Sequence, residues 1–287
     1  MPNQLVSDAR RLALHPKFPQ AVQTYCVELA RLREAPWLLN ALIATEARWR
    51  IIGYLLYLAS DTERFGPQGG ATYGRMLDLC TQRQEVKPRV LKTLLGLLKF
   101  SGVVTVVPDA QDRRIGYYRT TPKFDGFTKA WLTYAATALD LLEPKLERQS
   151  YLDDPAFAIR FNVSGGRAHL SDEIPLVDRM PQPLADLNVM SGSFSIIVGV
   201  MEADTSGLPP PSRAGLASRF GLSRGQVLNI IKAGVSLGLF QAGKSSVGPT
   251  PLLREVFHQW VSIELAFYAR HLRPPHEPLP PVCDHLL

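Results

Sequence analysis

The 287-residue chain is 46% hydrophobic and 20% charged, a composition that supplies a large core and excludes a disordered protein. Its length is sufficient for two domains. The net charge is +6, but residues 1–150 hold 21 Lys and Arg against 14 Asp and Glu, whereas residues 151–287 hold 11 against 12. A basic half predicts an anionic partner, either nucleic acid or an anionic membrane, although such an imbalance also arises by accident.

Cysteine usage and hydropathy restrict the cellular setting. The three cysteines are far apart and odd in number, which predicts no disulfide framework, no metal site and a reducing, cytoplasmic environment. The N-terminus, MPNQLVSDARRL, lacks the apolar run of a signal peptide. The most apolar window, residues 37–59, carries Glu46, Arg48 and Arg50 at its centre, and each would cost roughly 2.5–3.5 kcal/mol in a bilayer. We therefore expect a buried helix pair or one long helix there, and no membrane partner.

The elements that follow this window alternate between helices and one hairpin. A short helix is predicted at 73–82, and after a tight turn a second helix begins with Pro88 at its first position. Its apolar residues recur every three or four positions, and it ends at Gly102, which suits a left-handed cap. Two β-branched and aromatic runs then enclose a charged tip, which indicates a hairpin over about 103–118. A long helix follows from about 123 to 148.

The chain then repeats this order. The segment KPRVLKTLLGLLKFSGVV (87–104) matches SRGQVLNIIKAGVSLGLF (223–240) with a constant offset of 136, and Gly102 matches Gly238. Ser223 and Gln226 form a capping-box pattern at the second helix start. Further on, TPKFDGFTKAWLTYA (121–135) matches TPLLREVFHQWVSIE (250–264) with an offset of 129, so the second hairpin is seven residues shorter. A weaker match joins 50–62 to 195–205.

We refer to residues 50–148 as the first copy and residues 195–272 as the second copy. The order of helix, short helix, turn, capped helix, hairpin and long helix is that of a helix-turn-helix with a β-wing. We predict a mainly α protein with small β-wings, made of two tandem winged helix-turn-helix domains packed through their long helices. The expected domains are 1–148 with the leading helices, and 193–287 with a Pro-rich tail. Residues 149–192 are expected to be a partly irregular connector.

The first copy resembles the MarR family of winged helix-turn-helix transcriptional regulators. The resemblance covers roughly residues 50–148 and is carried by LCTQRQEVKPRVLKTLLGLLKFSGVV and PDAQDRRIGYYRTTPKF. Wings of the family combine Asp, a polar spacer and Asp-Arg-Arg, then Leu-Thr and a Gly; here Thr120 stands in place of the Leu. The second copy matches in architecture only, because its wing, FQAGKSSVGPTP, has neither Asp nor Arg. The resemblance implies a fused, single-chain form of a regulator that is usually a homodimer.

Both capped helices carry candidate DNA-binding side chains away from their apolar stripes. In the first copy Arg89 suits a bidentate contact with guanine, whereas the lysines suit phosphates. In the second copy Gln226 and Asn229 could pair with adenine. A solvated helix face is the alternative in both copies. The candidates on the two helices are Lys87, Arg89, Lys92, Thr93, Lys99, Ser223, Arg224, Gln226, Asn229 and Lys232.

The wings supply the remaining DNA-binding candidates. A guanidinium on a narrow hairpin can enter a minor groove, so we expect Arg113 or Arg114 to insert and Asp109 or Asp112 to orient it. A tip with mutually neutralised charges is the alternative. In the second wing Lys244 is the candidate.

The sequence indicates no catalytic set, no metal site and no cofactor. Cys80 could be a redox sensor, but a small buried residue is the simpler interpretation. Eight aromatic residues on the long helices are expected to belong to the core, and the resemblance also implies a pocket for a small aromatic effector there: Trp49, Tyr54, Tyr57, Trp131, Tyr134, Trp260, Phe267 and Tyr268.

Together these features predict a non-enzymatic, cytoplasmic, nucleoid-associated regulator of transcription that binds double-stranded DNA in sequence-specific fashion. We expect a monomeric pseudo-dimer or a homodimer, with recognition helices in successive major grooves about 10 bp apart. The alternatives are a plasmid-type replication initiator with tandem winged helices and a winged-helix protein-interaction module.

Overall fold

A computed structural model describes residues 2–34, 45–171 and 176–279. In these ranges the protein is mainly helical, with two small two-stranded antiparallel hairpins. Part of the apolar window at 37–59 and the tail that contains Cys283 lie outside them. No helix in the described ranges is both long and apolar enough to cross a membrane.

In the described ranges two helices precede the first copy, and five helices and one two-stranded hairpin form it. The leading helices are α1 (Pro2–Ala13) and α2 (Phe18–Arg33). The helices of the first copy are α3 (Glu46–Ser60), α4 (Thr62–Phe65), α5 (Tyr73–Gln82), α6 (Pro88–Phe100) and α7 (Pro122–Leu142), and its hairpin consists of β1 (Val104–Pro108) and β2 (Gly116–Thr120). The long helix therefore ends six residues before the predicted boundary at 148.

The second copy has the same order of elements, apart from α4. It contains α10 (Ser193–Thr205), α11 (Arg213–Arg219), α12 (Arg224–Ser236), β3 (Phe240–Ala242), β4 (Val247–Pro249) and α13 (Pro251–His271). The connector contains α8 (Pro155–Ser171), α9 (Gln182–Asn188) and a 3-10 turn at Leu176–Arg179, and two further 3-10 turns, Pro144–Leu146 and Arg148–Tyr151, lie between α7 and α8. The long helices α7 and α13 both have 21 residues.

Matching turns occur at equivalent positions of the two copies. Gly102 and Gly238 have φ of 70° and 72°, a left-handed conformation that glycine adopts without a Cβ clash. The hydroxyl of Thr121 donates to the carbonyl of Gly102 over 2.8 Å, and that of Thr250 donates to Gly238 over 2.6 Å. Each Thr therefore fixes the start of a long helix against the end of the preceding capped helix.

In each copy the residue that caps the short helix also forms an isolated β-bridge with the second half of the hairpin. In the first copy Thr72 forms an isolated bridge with Tyr117, and in the second Ser212 forms one with Ser246. The same two residues accept N–H bonds from the first turns of α5 and α11. One residue thus joins the short helix to the hairpin in both copies.

The connector is more regular than the sequence suggested. Within the segment 149–192, which was expected to be partly irregular, α8 alone has 17 residues. Its Gly165 and Gly166 lie against aromatic rings, and a Cβ added to Gly166 would lie 2.6 Å from Cβ of Tyr57. These glycines allow close packing of α8 against α3, and this burial compensates for their poor helix propensity.

One continuous apolar core joins the leading helices, both copies and the connector. Helix α1 packs against α13, and α2 packs against both α7 and α10. The long helices also contact each other, and the hydroxyls of Tyr134 and Tyr268 lie 2.8 Å apart. The leading helices therefore contribute to the second copy as much as to the first.

Candidate nucleic-acid interface and central cavity

Helix α6 exposes a basic face. Leu91, Leu94, Leu95 and Leu98 are buried, which turns the opposite side of the helix to solvent. All five candidates on this helix and its N-cap are exposed: Lys87, Arg89, Lys92, Thr93 and Lys99. The helix contains no acidic residue, so its exposed face carries positive charge alone. Thr93 directs its hydroxyl to the carbonyl of Arg89, 2.9 Å away, which leaves its methyl group for contacts.

The first hairpin carries a charged tip that is ordered by its own carboxylates. Asp109 accepts the backbone N–H groups of Gln111 and Asp112 at 2.8 and 2.9 Å. These bonds, with that of Asp112 as the larger contribution, lower the pKa of the Asp109 carboxyl. Asp109 therefore shapes the turn and is not a partner of either arginine.

Asp112 holds one of the two tip arginines. The guanidinium of Arg114 donates to both carboxylate oxygens of Asp112, from Nε at 2.9 and 3.2 Å and from Nη2 at 2.8 Å. This pair lowers the pKa of Asp112 and raises that of Arg114. Arg114 nevertheless remains 90% exposed, and Arg113 is exposed without a side-chain bond to any described residue. Of the predicted pairings, the structure contains that of Asp112 with Arg114.

Helix α12 exposes a less charged face. Ser223, Arg224, Asn229 and Lys232 are exposed, and Val227, Ile230 and Ile231 are buried. Ser223 caps the helix by accepting the N–H of Gln226 at 3.1 Å. The capping-box prediction is wrong for its other half, because the side-chain amide of Gln226 donates to the carbonyl of Ser191 at 3.0 Å. The side-chain amide of Gln226 is therefore already hydrogen-bonded within the protein, whereas the side chain of Asn229 is exposed to solvent.

The second hairpin is short, and hydrogen bonds from the first residue of α11 hold its tip. Arg213 donates from its guanidinium to the carbonyl of Gly243 at 2.8 Å, and its backbone N–H donates to Ser245 at 2.9 Å. Lys244 at the tip is exposed. This hairpin offers one cation, compared with two arginines at the tip of the first.

A cavity of about 170 Å³ lies where α2, α3, α7, α8, α10 and α13 meet. Its wall contains all eight aromatic residues that the sequence singled out, together with Phe161 and Phe194. Their rings contact one another edge-on or stacked; Trp49 and Trp131 are 4.8 Å apart, and Phe161 and Tyr268 are 5.1 Å apart. A cavity lined in this way favours a flat, apolar ligand.

A buried carboxylate forms the polar side of the cavity. Glu264 accepts hydrogen bonds from the hydroxyls of Tyr25 and, at 2.8 Å, Tyr134. Burial raises the pKa of the Glu264 carboxyl, and the same effect lowers the pKa of the nearby Arg33. Sequence reasoning missed Glu264, Tyr25 and Arg33, although a single carboxylate in the otherwise apolar run WVSIELAFYA was a signal.

The cavity also contains hydrogen-bond donors in poor geometry. The indole N–H groups of Trp131 and Trp260 are buried and have no acceptor with ordinary hydrogen-bond geometry among the described residues. Buried donors of this kind are rare in folded proteins. Each lies beside a polar group of the same wall, Trp260 beside Glu264 and Trp131 beside Tyr268.

The two cysteines of the described residues, Cys26 and Cys80, are buried. Burial raises the pKa of the Cys80 thiol to about 11, which disfavours the thiolate that a redox sensor requires. The described residues contain no cluster of His, Cys, Asp and Glu suited to a metal ion.

Comparison of the chain with known protein families, with characterised proteins and with solved structures finds no match.

Proposed function

We propose that the protein is a transcriptional regulator that binds double-stranded DNA in a sequence-specific manner, of the type that the MarR family represents. In this proposal each copy is a winged helix-turn-helix domain, with α6 and α12 as recognition helices and the hairpins as wings. The main support is the repeated unit of short helix, turn, exposed helix and hairpin, in which neither exposed helix contains an acidic residue. Phosphate contacts require such a face, and its uncharged polar residues can read base edges.

The two copies would contribute differently to binding. The first copy offers six candidate cations on α6, its N-cap and the wing, whereas the second offers three: Arg224, Lys232 and Lys244. The first would therefore supply most of the electrostatic affinity and the minor-groove contact. In the second, Asn229 is the better reader of adenine, because Gln226 is held by Ser191.

A single chain would act as a pseudo-dimer. The long helices α7 and α13 take the positions of two dimerisation helices, and their contact through Tyr134 and Tyr268 supports this role. The recognition helices would then enter successive major grooves about 10 bp apart. The protein would be cytoplasmic and nucleoid-associated, and would act by occupying its operator without catalysis.

The cavity is the proposed binding site of a small aromatic effector. Its aromatic wall and buried carboxylate support this assignment. It lies between the two copies, where an occupant touches both.

Selection of bound DNA from random or genomic fragments with the full chain tests this function. We expect an asymmetric site of about 20 bp bound by a monomer, because the two recognition faces differ. Iterated repeats beside an origin would support a replication initiator instead. No enrichment at about 0.1 M salt would contradict DNA binding and favour a protein-interaction module.

A further inference from the structure

The second copy exposes apolar residues where the first copy exposes lysines. Three lysines on α6 and at the start of α7 correspond, with the offsets of 136 and 129 that relate the copies, to three apolar residues on α12 and α13. The pairs are Lys92 and Leu228, Lys99 and Val235, and Lys123 and Leu252. The three apolar residues are 37–44% exposed. The fold of this face is therefore repeated, whereas its chemistry is not.

These exchanges remove candidate phosphate contacts from the second copy. Two more cations are absent at the start of α12, where the pairs are Lys87 and Ser223, and Arg89 and Gly225. Helix α12 itself has two cations, Arg224 and Lys232, and no acidic residue. It can therefore lie against an anionic surface, but any large contribution to binding has to come from contacts other than those with phosphates.

Leu228 lies in the part of α12 that meets base edges in a recognition helix. It is the fifth residue of the helix Arg224–Ser236, and recognition helices contact bases with their N-terminal residues. Gly225, three residues earlier on the same face, has no heavy atom within 4 Å of the position of a Cβ. The helix therefore has no side chain there that would keep a groove at a distance. The long side chain of Lys92 extends past the bases to a phosphate, whereas the shorter Leu228 contacts what lies directly against the helix.

The major groove presents one apolar group that suits Leu228. Base pairs offer hydrogen-bond donors and acceptors there, together with the C5-methyl group of thymine. An aliphatic side chain against a donor or acceptor would remove its water without replacing the hydrogen bond. The next residue, Asn229, is exposed and suits adenine, the partner base of thymine. Two neighbouring residues of α12 thus favour the same base pair.

We propose that Leu228 makes α12 a reader of pyrimidine C5-methyl groups in the major groove, with thymine as the ordinary target. This inference rests on the proposed function and adds the base that the second copy selects. 5-Methylcytosine carries a methyl group at the same ring position, so the second copy also distinguishes a methylated C·G pair from an unmethylated one. The first copy then supplies most of the electrostatic affinity, and the second supplies selectivity through a methyl contact.

An apolar helix face also suits a protein partner, of which a second copy of the chain is the simplest. The charges favour DNA instead. Neither α12 nor the second hairpin contains an acidic residue, so two such faces in contact would gather Arg224, Lys232 and Lys244 without a carboxylate from either element. Lys232 also interrupts the apolar stripe, because it lies four residues after Leu228 and three before Val235. A duplex complements these cations.

Replacement of thymine by deoxyuridine tests the proposal with a single methyl group. A duplex selected by the full chain is prepared with deoxyuridine in one half-site at a time, and its affinity is measured by fluorescence anisotropy. We expect the affinity to fall about fourfold for each methyl group that Leu228 contacts, which is the effect of leaving one methyl-sized group unburied. Deoxyuridine keeps the hydrogen-bonding groups of thymine, so the loss reports on the methyl group alone. Equal affinity for the two duplexes would overturn the proposal.

Three variants assign the effect to one residue. Leu228→Ser should bind the thymine and deoxyuridine duplexes equally in the affected half-site. Val235→Ser is the matched control and should keep the difference, because Val235 is an exposed apolar residue of the same helix, two turns further from its N-terminus. Leu228→Lys, with the residue of the first copy, should abolish the difference but steepen the slope of log K against log salt by about 0.9. Undiminished discrimination in Leu228→Ser would overturn the role of Leu228.

5-Methylcytosine provides the opposite test, in which a methyl group is gained. Exchange of the discriminating T·A pair for C·G should weaken binding, and methylation of that cytosine at C5 should strengthen it about fourfold. Leu228→Ser should not respond to the methylation. A methylated site that the unaltered chain binds no more tightly than the unmethylated one would overturn methyl recognition.

The outcomes separate this inference from the proposed function. Sequence-specific binding without methyl discrimination would reject the inference alone, whereas absence of sequence-specific binding by the full chain would reject both. Light scattering of the protein without DNA tests the alternative occupant. A dimer that Leu228→Lys and Val235→Ser each convert to a monomer would identify the face as an interface between chains and overturn the methyl assignment.

Discussion

The charged tip of the first hairpin allows a prediction in which removing a negative charge weakens binding to DNA. Arg114 is oriented by three hydrogen bonds to Asp112, whereas Arg113 has no such partner among the described residues. We expect Arg114 to enter the minor groove in this fixed orientation and Arg113 to contact a phosphate. Asp112→Ala should then lower the affinity a few-fold, although it makes the protein more positive.

The magnitudes follow from counterion release. One phosphate contact changes the slope of log K against log salt by about 0.9, which corresponds to about eightfold in affinity at 0.1 M salt. Arg113→Ala should therefore cost about eightfold on all sequences and reduce the slope by about 0.9. Arg114→Ala should cost at least as much and should also abolish a preference for A·T pairs beside the half-site.

Fluorescence anisotropy with a selected duplex at several salt concentrations measures both quantities. Arg119→Ala is the matched control, since Arg119 belongs to the same hairpin but donates to Gln68 at 2.7 Å near its base. We expect less than a twofold change for it. Tighter binding by Asp112→Ala would refute the orienting role, because simple charge repulsion would then dominate.

Four further predictions concern stability and reactivity. Gly234→Ala should lower the free energy of unfolding by about 1–3 kcal/mol, because its Cβ would lie 2.2 Å from Phe240, whereas Gly96→Ala, at an open helix position, should raise it by about 0.5–1 kcal/mol in urea titrations. Arg148→Leu should cost about 3–5 kcal/mol in the same assay, since it leaves Asp140 and Glu143 without the buried guanidinium that they contact. Burial holds the pKa of Glu264 above its ordinary 4.5, so stability should fall as pH rises from 4.5 through the raised pKa. Glu264→Gln should remove this dependence, and an unchanged pH profile would contradict it. Cys26 and Cys80 should react with a thiol reagent only after unfolding, because burial raises both pKa values; rapid labelling of native protein would disprove this.

The sequence predicts those helices whose ends are marked by short local motifs. Thr-Pro starts and glycine ends define α6, α7, α12 and α13, since these signals act through neighbouring atoms. The helix α8 was missed because its Gly165-Gly166 pair reads as a break. Its stability comes from packing against Tyr57 and Phe267, which are distant in sequence.

The candidate site residues likewise fall into two groups: those that a local sequence pattern predicts and those that only the tertiary structure reveals. Exposure of the predicted residues on α6 and α12 follows from the apolar stripe, so periodicity was sufficient. The partner of Gln226 lies 35 residues away, and no local pattern indicates such a pairing. The cavity combines α2, α8 and both copies, which only the tertiary structure brings together.

The packing of α1 against α13 has a consequence for biosynthesis. Asp8 and Arg270 form an ion pair across 262 residues, and Leu5 and Leu12 of α1 are buried in the same core. At about 5–20 residues per second, roughly 13–52 s separate the translation of these two partners. During that interval the apolar face of α1 lacks the helix against which it packs, so α1 reaches its native position long after it has been translated.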